Sequence, residues 1–321
     1  MRSVRYLPSD HFLMFMLSSI PDMYRKFFML LIGVPLAVAA QVPAPATDAS
    51  PERDALRRAM AKLVTDEPGF MMPAYREELD SAYARRDSAG YAALVARHVT
   101  TLQAQQAQAN WERYTVYTGG GAWIRYVYVE RLGSMAAVLE RSAQQPSADA
   151  KALLGQAREV RKLAFAHALY ALAAVKVDGR ICLEPVDAPY EALKANLGRA
   201  LDVAAVLSEP EREGLIEYAV TLEKSLAPLR EPDKRLCMRG RQTLTLRDES
   251  GPGAPARTAT PVPDPARDLI EAPRFTLDPM GAFKPREQWT AATAPTRQTL
   301  PRLLTDEVRT LAAASRERGP L

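Results

Sequence analysis

Residues 164–175 read Ala-Phe-Ala-His-Ala-Leu-Tyr-Ala-Leu-Ala-Ala-Val, and His167 and Tyr170 are the only polar members of this stretch. The stretch lies inside a helical pattern that begins at Ser147 and ends at Asp178-Gly179, a length of roughly 46 Å at about 1.5 Å per residue. A helix that is apolar on every side is normally central, and so short an apolar run does not cross a bilayer. The pattern therefore predicts the central helix of an all-α protein.

Helical patterns continue on both sides of this segment. Ser50-Pro51-Glu52 offers an N-cap, a proline at the first helical position and an acidic first turn. A second helix is expected near Pro73–Asp87, and Ser88 is expected to cap a third that runs towards Gln108. We predict one helical domain over residues 50–247, built as a helical bundle or an irregular helical array.

Two further amphipathic patterns lie between the cysteines, separated by Ser208-Glu-Pro-Glu211, which is a capping-box sequence. The sequence therefore predicts two antiparallel helices here. Their apolar stripes are Tyr190, Leu193, Leu197, Leu201 and Ala204 in the first helix, and Leu215, Ala219, Leu222 and Leu226 in the second.

Six aromatic residues fall within residues 111–128, interrupted by the three glycines 119–121. Alternating Tyr and Val would suit a β-hairpin, whereas Ile124 and its successors continue at helical spacing; because the neighbouring segments are helical, we favour two helices. A binding surface for a sugar, a peptide or a partner protein is one function for this cluster, and the densest part of the core is the other interpretation. The cluster comprises Trp111, Arg113, Tyr114, Tyr117, Trp123, Arg125, Tyr126 and Tyr128.

The two cysteines, Cys182 and Cys237, lie at segment junctions that the two intervening helices would bring together. A disulfide closing this 55-residue loop would stabilise the fold by roughly 4 kcal/mol in the chain-entropy model. The alternatives are two buried free thiols or a metal pair, but two cysteines and two distant histidines make no zinc spacing. We therefore predict the disulfide, with no metal and no cofactor.

The N-terminus resembles a secretory signal. Met23-Tyr-Arg-Lys26 precedes an apolar run over residues 27–40, and small side chains predict cleavage near Ala40. Residues 1–40 are thus interpreted as a signal peptide, with Met23 as a candidate true start, and the Pro- and Ala-rich residues 41–49 as a linker. A periplasmic or secreted protein follows; the alternative is a protein anchored in the inner membrane by an uncleaved N-terminal segment.

After Arg247 the composition changes. Residues 248–321 hold eleven of the 25 prolines and predict a mostly extended tail, which ends in an amphipathic helix at about 299–316. This helix could dock on the body or on a partner, and we favour the body. Its apolar stripe is Leu300, Leu303, Leu304, Val308 and Leu311.

Charge and motifs restrict the function. Of the net charge of +4, residues 1–40 contribute two, so the remainder lacks the basic field that attracts nucleic acid. We find no catalytic motif, and we interpret His167 as a core histidine hydrogen-bonded to a neighbour and His98 as a surface or boundary residue.

The leading hypothesis is an exported, non-enzymatic binding or interaction protein of the bacterial envelope, an accessory or sequestering module with a protein partner. The alternative is a carboxylate-dependent enzyme that acts on a cell-wall or other extracellular substrate. Such an enzyme needs two acids about 5–10 Å apart in a cleft, at least one of them shielded from solvent. A membrane-tethered structural protein is a third hypothesis, and it requires residues 1–40 to stay attached.

Overall fold

The computed structural model describes residues 51–145, 149–183, 187–230, 233–237 and 283–317, and these form an all-α array, as predicted. The predicted signal peptide, linker and extended tail segment, residues 248–282, lie outside the described residues. Short 3-10 turns at Gly179–Ile181, Asp202–Ala205, Lys234–Cys237 and Arg286–Gln288 connect the helices. The α-helices are α1 (Pro51–Thr65), α2 (Arg76–Ala84), α3 (Ser88–His98), α4 (Leu102–Tyr117), α5 (Ala122–Ala143), α6 (Ala150–Asp178), α7 (Ala188–Asn196), α8 (Gly198–Leu201), α9 (Glu209–Leu226) and α10 (Trp289–Glu317).

Helix α6 is the central element of the array, and it contacts α5, α7, α8, α9 and α10. Every residue from Ala164 to Val175 is buried. The all-round apolar composition of this stretch explains its position, because each side of the helix meets another helix rather than water.

The N-terminal helices differ from the prediction in one place. The helix expected from Ser88 to Gln108 is two helices, because α3 ends at His98 and α4 begins at Leu102. Thr101 has an extended backbone, and its side chain accepts a hydrogen bond from the Ala104 amide at 3.1 Å, so this residue is an N-cap that starts a new helix. Asp87, rather than Ser88, caps α3 by accepting from the Gly90 amide.

Residues 111–128 are helical, as favoured, and the three glycines separate α4 from α5. Gly119 has a φ of +108°, which favours glycine. A Cβ atom at this position would also lie 2.4 Å from the Leu229 carbonyl oxygen. The sharp turn and the close approach of the chain after α9 both require glycine here.

Between the cysteines, the second predicted helix is α9, with the capping box of Ser208 and Glu211 in place. The first is broken into α7, α8 and the Asp202–Ala205 turn. Gly198, a poor helix former, lies at the break between α7 and α8.

A disulfide joins Cys182 to Cys237, which confirms the predicted pairing. The backbone of Cys182 also pairs with that of Phe283 in an isolated antiparallel β-bridge, and the Lys284 amide donates to the Ile181 carbonyl at 2.7 Å. The start of the C-terminal segment is therefore held beside the disulfide.

The C-terminal helix α10 packs on α6, α9 and two of the 3-10 turns. It begins at Trp289, ten residues before the predicted start, although Pro295 and Pro301 lie inside it. Leu300, Leu304 and Val308 are buried, whereas Leu303 and Leu311 are half-buried against the same core. None of the helices in the described part of the chain is long and apolar enough to span a membrane.

Candidate functional site

The aromatic cluster of residues 111–128 lies mainly in the interior rather than on a surface. The array closes around it, since α1 packs on α4 and α6 packs on α5. Only Tyr114 and Tyr126 remain half-buried, so these two alone are partly accessible, and Arg76 lies over the Tyr114 ring. The buried members are Trp111, Arg113, Tyr117, Trp123, Arg125 and Tyr128. These six residues therefore belong to the core, which was the second interpretation of the cluster, and not to a binding surface.

The interior around α4 is polar as well as aromatic. Glu112 is fully buried, and its Oε1 accepts hydrogen bonds from the Tyr91 hydroxyl, from Gln108 Nε2 at 3.1 Å and from Arg131 Nε at 3.3 Å. The Tyr75 hydroxyl donates to Gln108 Oε1 at 2.9 Å. We call these five residues the Glu112 network; it links α3, α4, α5 and the segment before α2.

The second oxygen of Glu112, Oε2, is buried and receives no hydrogen bond from the described residues. Burial raises the pKa of Glu112, although the Arg131 cation and the hydrogen bonds oppose this shift. Burial also raises the pKa of Tyr91 well above its usual value, and the adjacent Glu112 carboxylate adds to the shift. Burial therefore outweighs the cation and the hydrogen bonds of the network, and the net result is a raised pKa for the Glu112 carboxyl group.

His167 lies in the core, as expected, but without the expected hydrogen bond. Both ring nitrogens are buried with no partner among the described residues. The ring meets the Tyr128 ring edge-on at 4.8 Å between centroids, and the rings of Tyr117 and Tyr218 lie farther off at 6.1 and 6.0 Å. Burial, followed by the nearby Arg113 cation, lowers the pKa of His167 to about 3, so the imidazole is neutral at ordinary pH.

A cluster of buried ions joins the central helix to the C-terminal helix. Arg230 donates to both oxygens of Asp178 on α6, at 2.8 and 3.1 Å, and to Glu223 Oε1 on α9 at 2.8 Å. Arg297 of α10 contacts both oxygens of Glu223 at 3.3 Å. Arg125 lies 4.0 Å from Asp178. We call these five residues the Arg230 cluster, and it fixes α6, α9 and α10 to one another.

An open cleft of about 520 Å³ lies between α2 and α3. Its floor contains the small or apolar residues Ala82, Gly90 and Leu94, and the remaining lining residues are mostly charged and exposed. These are Glu77, Glu78, Ser81, Arg85, Ala93 and Arg97. Two acids and two arginines thus border a groove whose floor is small or apolar.

The two acids of this cleft can be compared with what a carboxylate-dependent enzyme, the alternative hypothesis, would require. Glu77 and Glu78 are both exposed to solvent, so neither is the shielded acid that a glycoside hydrolase requires. Glu112 is shielded and has a raised pKa, but it does not line the cleft. Within the described residues, no group of three or more His, Cys, Asp or Glu side chains is placed to hold a metal ion.

Sequence reasoning did not find the Glu112 network, the Arg230 cluster or the α2–α3 cleft as sites. Gln108 and Glu112 are four residues apart and therefore share one helix face, which is the one local signal for the network. Nothing local indicates that this face is internal. Asp178 lies 52 residues before Arg230 in the sequence, and the two meet only through helix packing.

No protein-family model, no curated protein and no solved structure matches the chain. A disulfide fits a protein located outside the cytoplasm.

Proposed function

We propose that the protein is an exported, non-enzymatic interaction protein of the bacterial envelope, and that a segment of a protein partner binds in the α2–α3 cleft. The observation that carries this proposal is the form of the cleft: a groove between two helices, with a floor of small or apolar residues and a border of charges of both signs. Grooves of this form accept a helix or an extended segment, with charged side chains at the rim fixing its orientation.

The openness of the cleft supports a protein partner over a small molecule. Sites for small molecules usually enclose most of the ligand surface, with a few polar groups inside a mainly apolar wall. Here most of the charged lining is exposed, and only Ala82 and Leu94 are buried. A partner segment would lie over the floor that these two side chains form and would present an acid to Arg85 or Arg97, or a base to Glu77 or Glu78.

Two features of the chain support the exported, envelope location in this proposal. The signal-like residues 23–40 and the Cys182–Cys237 disulfide both suit an oxidising compartment. We propose the periplasm or secretion after cleavage near Ala40. The intact mass of protein extracted from cells tests this: a mass beginning after residue 40 supports export with cleavage, and an uncleaved N-terminus supports the membrane-anchored alternative.

A site-specific photo-crosslinker placed at Ser81 tests the cleft. Ser81 lines the groove and is exposed, and Glu213, exposed on α9, provides a matched control position outside it. In intact envelopes we expect one discrete adduct from position 81, absent from position 213 and lost when Ala93→Trp fills the cleft from an exposed position. Equal adducts from both positions would contradict the cleft as the binding site. Hydrolysis of envelope glycans that is abolished by Glu77→Gln or Glu78→Gln would overturn the non-enzymatic role.

A further inference from the structure

Helix α10 covers an extended surface of the helical array. Its buried residues Leu300, Leu304, Val308 and Ala312 recur every four residues, so the stripe winds slowly around the helix. Such a stripe contacts several elements in turn, and α10 indeed packs on α6, α9 and the turns at Gly179–Ile181 and Asp202–Ala205. We call the surface that these four elements, together with Tyr190 and Lys194 of α7, present to α10 the α10 groove.

Charged contacts at two positions fix the direction of the helix in the α10 groove. Towards its start, Arg297 contacts the buried carboxylate of Glu223 at 3.3 Å. Further along, Glu307 accepts from the Lys194 ammonium at 3.2 Å and from the Tyr190 hydroxyl at 3.5 Å. The groove therefore offers an acid for a basic residue and, farther on, a base for an acidic one. A helix entering in the reverse direction would place like charges together.

The sequence of α10 is poorly suited to form a helix by itself. Pro295 and Pro301 lie inside the helix, where each removes a backbone donor and crowds the carbonyl four residues earlier. Thr293 and Thr299 donate their hydroxyls to the carbonyls of Trp289 and Pro295, at 2.9 and 3.1 Å, an alternative pairing typical of weak helix formers. The helicity of α10 therefore depends on its contacts with the α10 groove.

We propose that α10 is an exchangeable occupant and that the α10 groove binds, in trans, an amphipathic helix of a partner protein. The partner helix carries the pattern that the groove already recognises in α10. This pattern is a basic residue, large apolar residues three, seven and eleven positions after it, and an acid ten positions after it. A partner that forms a helix more readily than α10 competes well because it loses less free energy on ordering. This surface is separate from the α2–α3 cleft, so the two proposals succeed or fail independently.

Exchange is measured on the full chain with a protease site inserted among residues 238–282. The folded, disulfide-bonded protein is cleaved there, and a fluorescent peptide of residues 283–317 is added at increasing concentration. We expect the peptide to replace the cleaved segment, seen as a rise in anisotropy. A Leu304→Asp peptide should bind roughly a hundredfold more weakly or worse, because it places a charge at a buried position. The matched Ala313→Asp peptide changes an exposed position and should lose about threefold at most.

A second peptide tests whether α10 is a weak occupant. With Pro295→Ala and Pro301→Ala and every buried residue retained, it should bind at least about tenfold more tightly, because its helix forms at lower cost. If the original peptide and the Pro295→Ala, Pro301→Ala peptide bind with equal affinity, the inference that α10 forms its helix at a high cost is wrong. The proposal fails outright if no labelled peptide is taken up, if release of the segment unfolds the rest of the chain, or if Leu304→Asp binds like the original sequence.

Discussion

Glu112 on α4 and Glu223 on α9 are both fully buried, but their two carboxylate groups meet different partners. Both oxygens of Glu223 contact Arg297, and Oε1 also accepts from Arg230. In the Glu112 network all three donors converge on Oε1, and only one of them, Arg131, is a cation. The Arg230 cluster thus compensates its buried charge on both oxygens, whereas the Glu112 network compensates it on one.

This difference makes the Arg230 cluster a structural ion cluster, whereas the Glu112 network contains a buried carboxyl group with a shifted pKa. Removing a carboxylate from water is costly unless cations and hydrogen bonds replace the lost hydration. Where they do, the charge fixes the geometry of the surrounding helices. Burial acts to lower the pKa of Arg230, but the Asp178 and Glu223 carboxylates raise it well above its usual value. Where cations and hydrogen bonds replace the lost hydration only in part, the pKa of the carboxyl group rises, as at Glu112. The same residue type therefore contributes differently to folding in the two regions.

Arg230→Met should give the largest loss of stability. It leaves Asp178 without its bidentate partner and Glu223 without its closest cation, and breaking a buried pair in this way costs about 3–5 kcal/mol. Urea denaturation at pH 7 measures the change. Arg158→Met is the matched control, because Arg158 is exposed and its ion pair with Glu211 should contribute about 1 kcal/mol or less. Similar losses for the two variants would remove the basis of the comparison.

Replacing each glutamate with glutamine compares the two regions directly. Glu223→Gln removes a charge that two arginines contact, and the free energy of unfolding should fall by about 2–3 kcal/mol. Glu112→Gln keeps an acceptor oxygen for Tyr91 and Arg131 and should cost about 1 kcal/mol or less. The measurement is urea denaturation of both variants at pH 7. If Glu112→Gln proves the more harmful, the assignment of the two roles is reversed.

His167→Phe should remove part of the acid sensitivity of the fold. The folded-state pKa of about 3 lies below the ordinary value of 6.5, so the unfolded chain binds the proton more readily. The stabilising contribution of neutral His167 is therefore present above pH 6.5 and is lost as the pH falls towards 3. At pH 5 the loss should be about 2 kcal/mol, estimated from about 1.4 kcal/mol per pKa unit. Urea midpoints between pH 4 and 8 should vary less in the variant, and an unchanged profile would show that His167 does not titrate on unfolding.

The smallest expected effect has the opposite sign. Because the folded-state pKa of Glu112 is raised above 4.5, its protonated form stabilises the fold at low pH, and this contribution is lost as the pH rises through the folded-state pKa. In the His167→Phe background, which removes the competing acid limb, Glu112→Gln should lower stability at low pH relative to its effect at pH 8. A pH-independent effect of Glu112→Gln would contradict the raised pKa.

Sequence patterns predicted the elements of this protein better than its sites. The apolar run at residues 164–175, the Ser208–Glu211 capping box and the two cysteines carry local or compositional signals, and the central helix, α9 and the disulfide followed from them. The break after His98 was missed, because Thr101 caps a helix only once its backbone is extended. The aromatic cluster was identified correctly as unusual, but its composition suits a binding surface and a core equally.

By itself, the sequence determined the helical class, the central position of the α6 stretch and the cysteine pairing, because periodicity, capping and chain connectivity act over short distances or leave few alternatives. Tertiary packing alone decided which polar side chains are buried. Glu112 and Glu223 have the sequence surroundings of ordinary helix-surface residues, and Arg230 those of a connecting segment, but helices distant in the sequence enclose all three. The pKa values, the pairing of charges and the helix-binding groove depend on that enclosure, because solvent exclusion and charge proximity arise only when these helices come together.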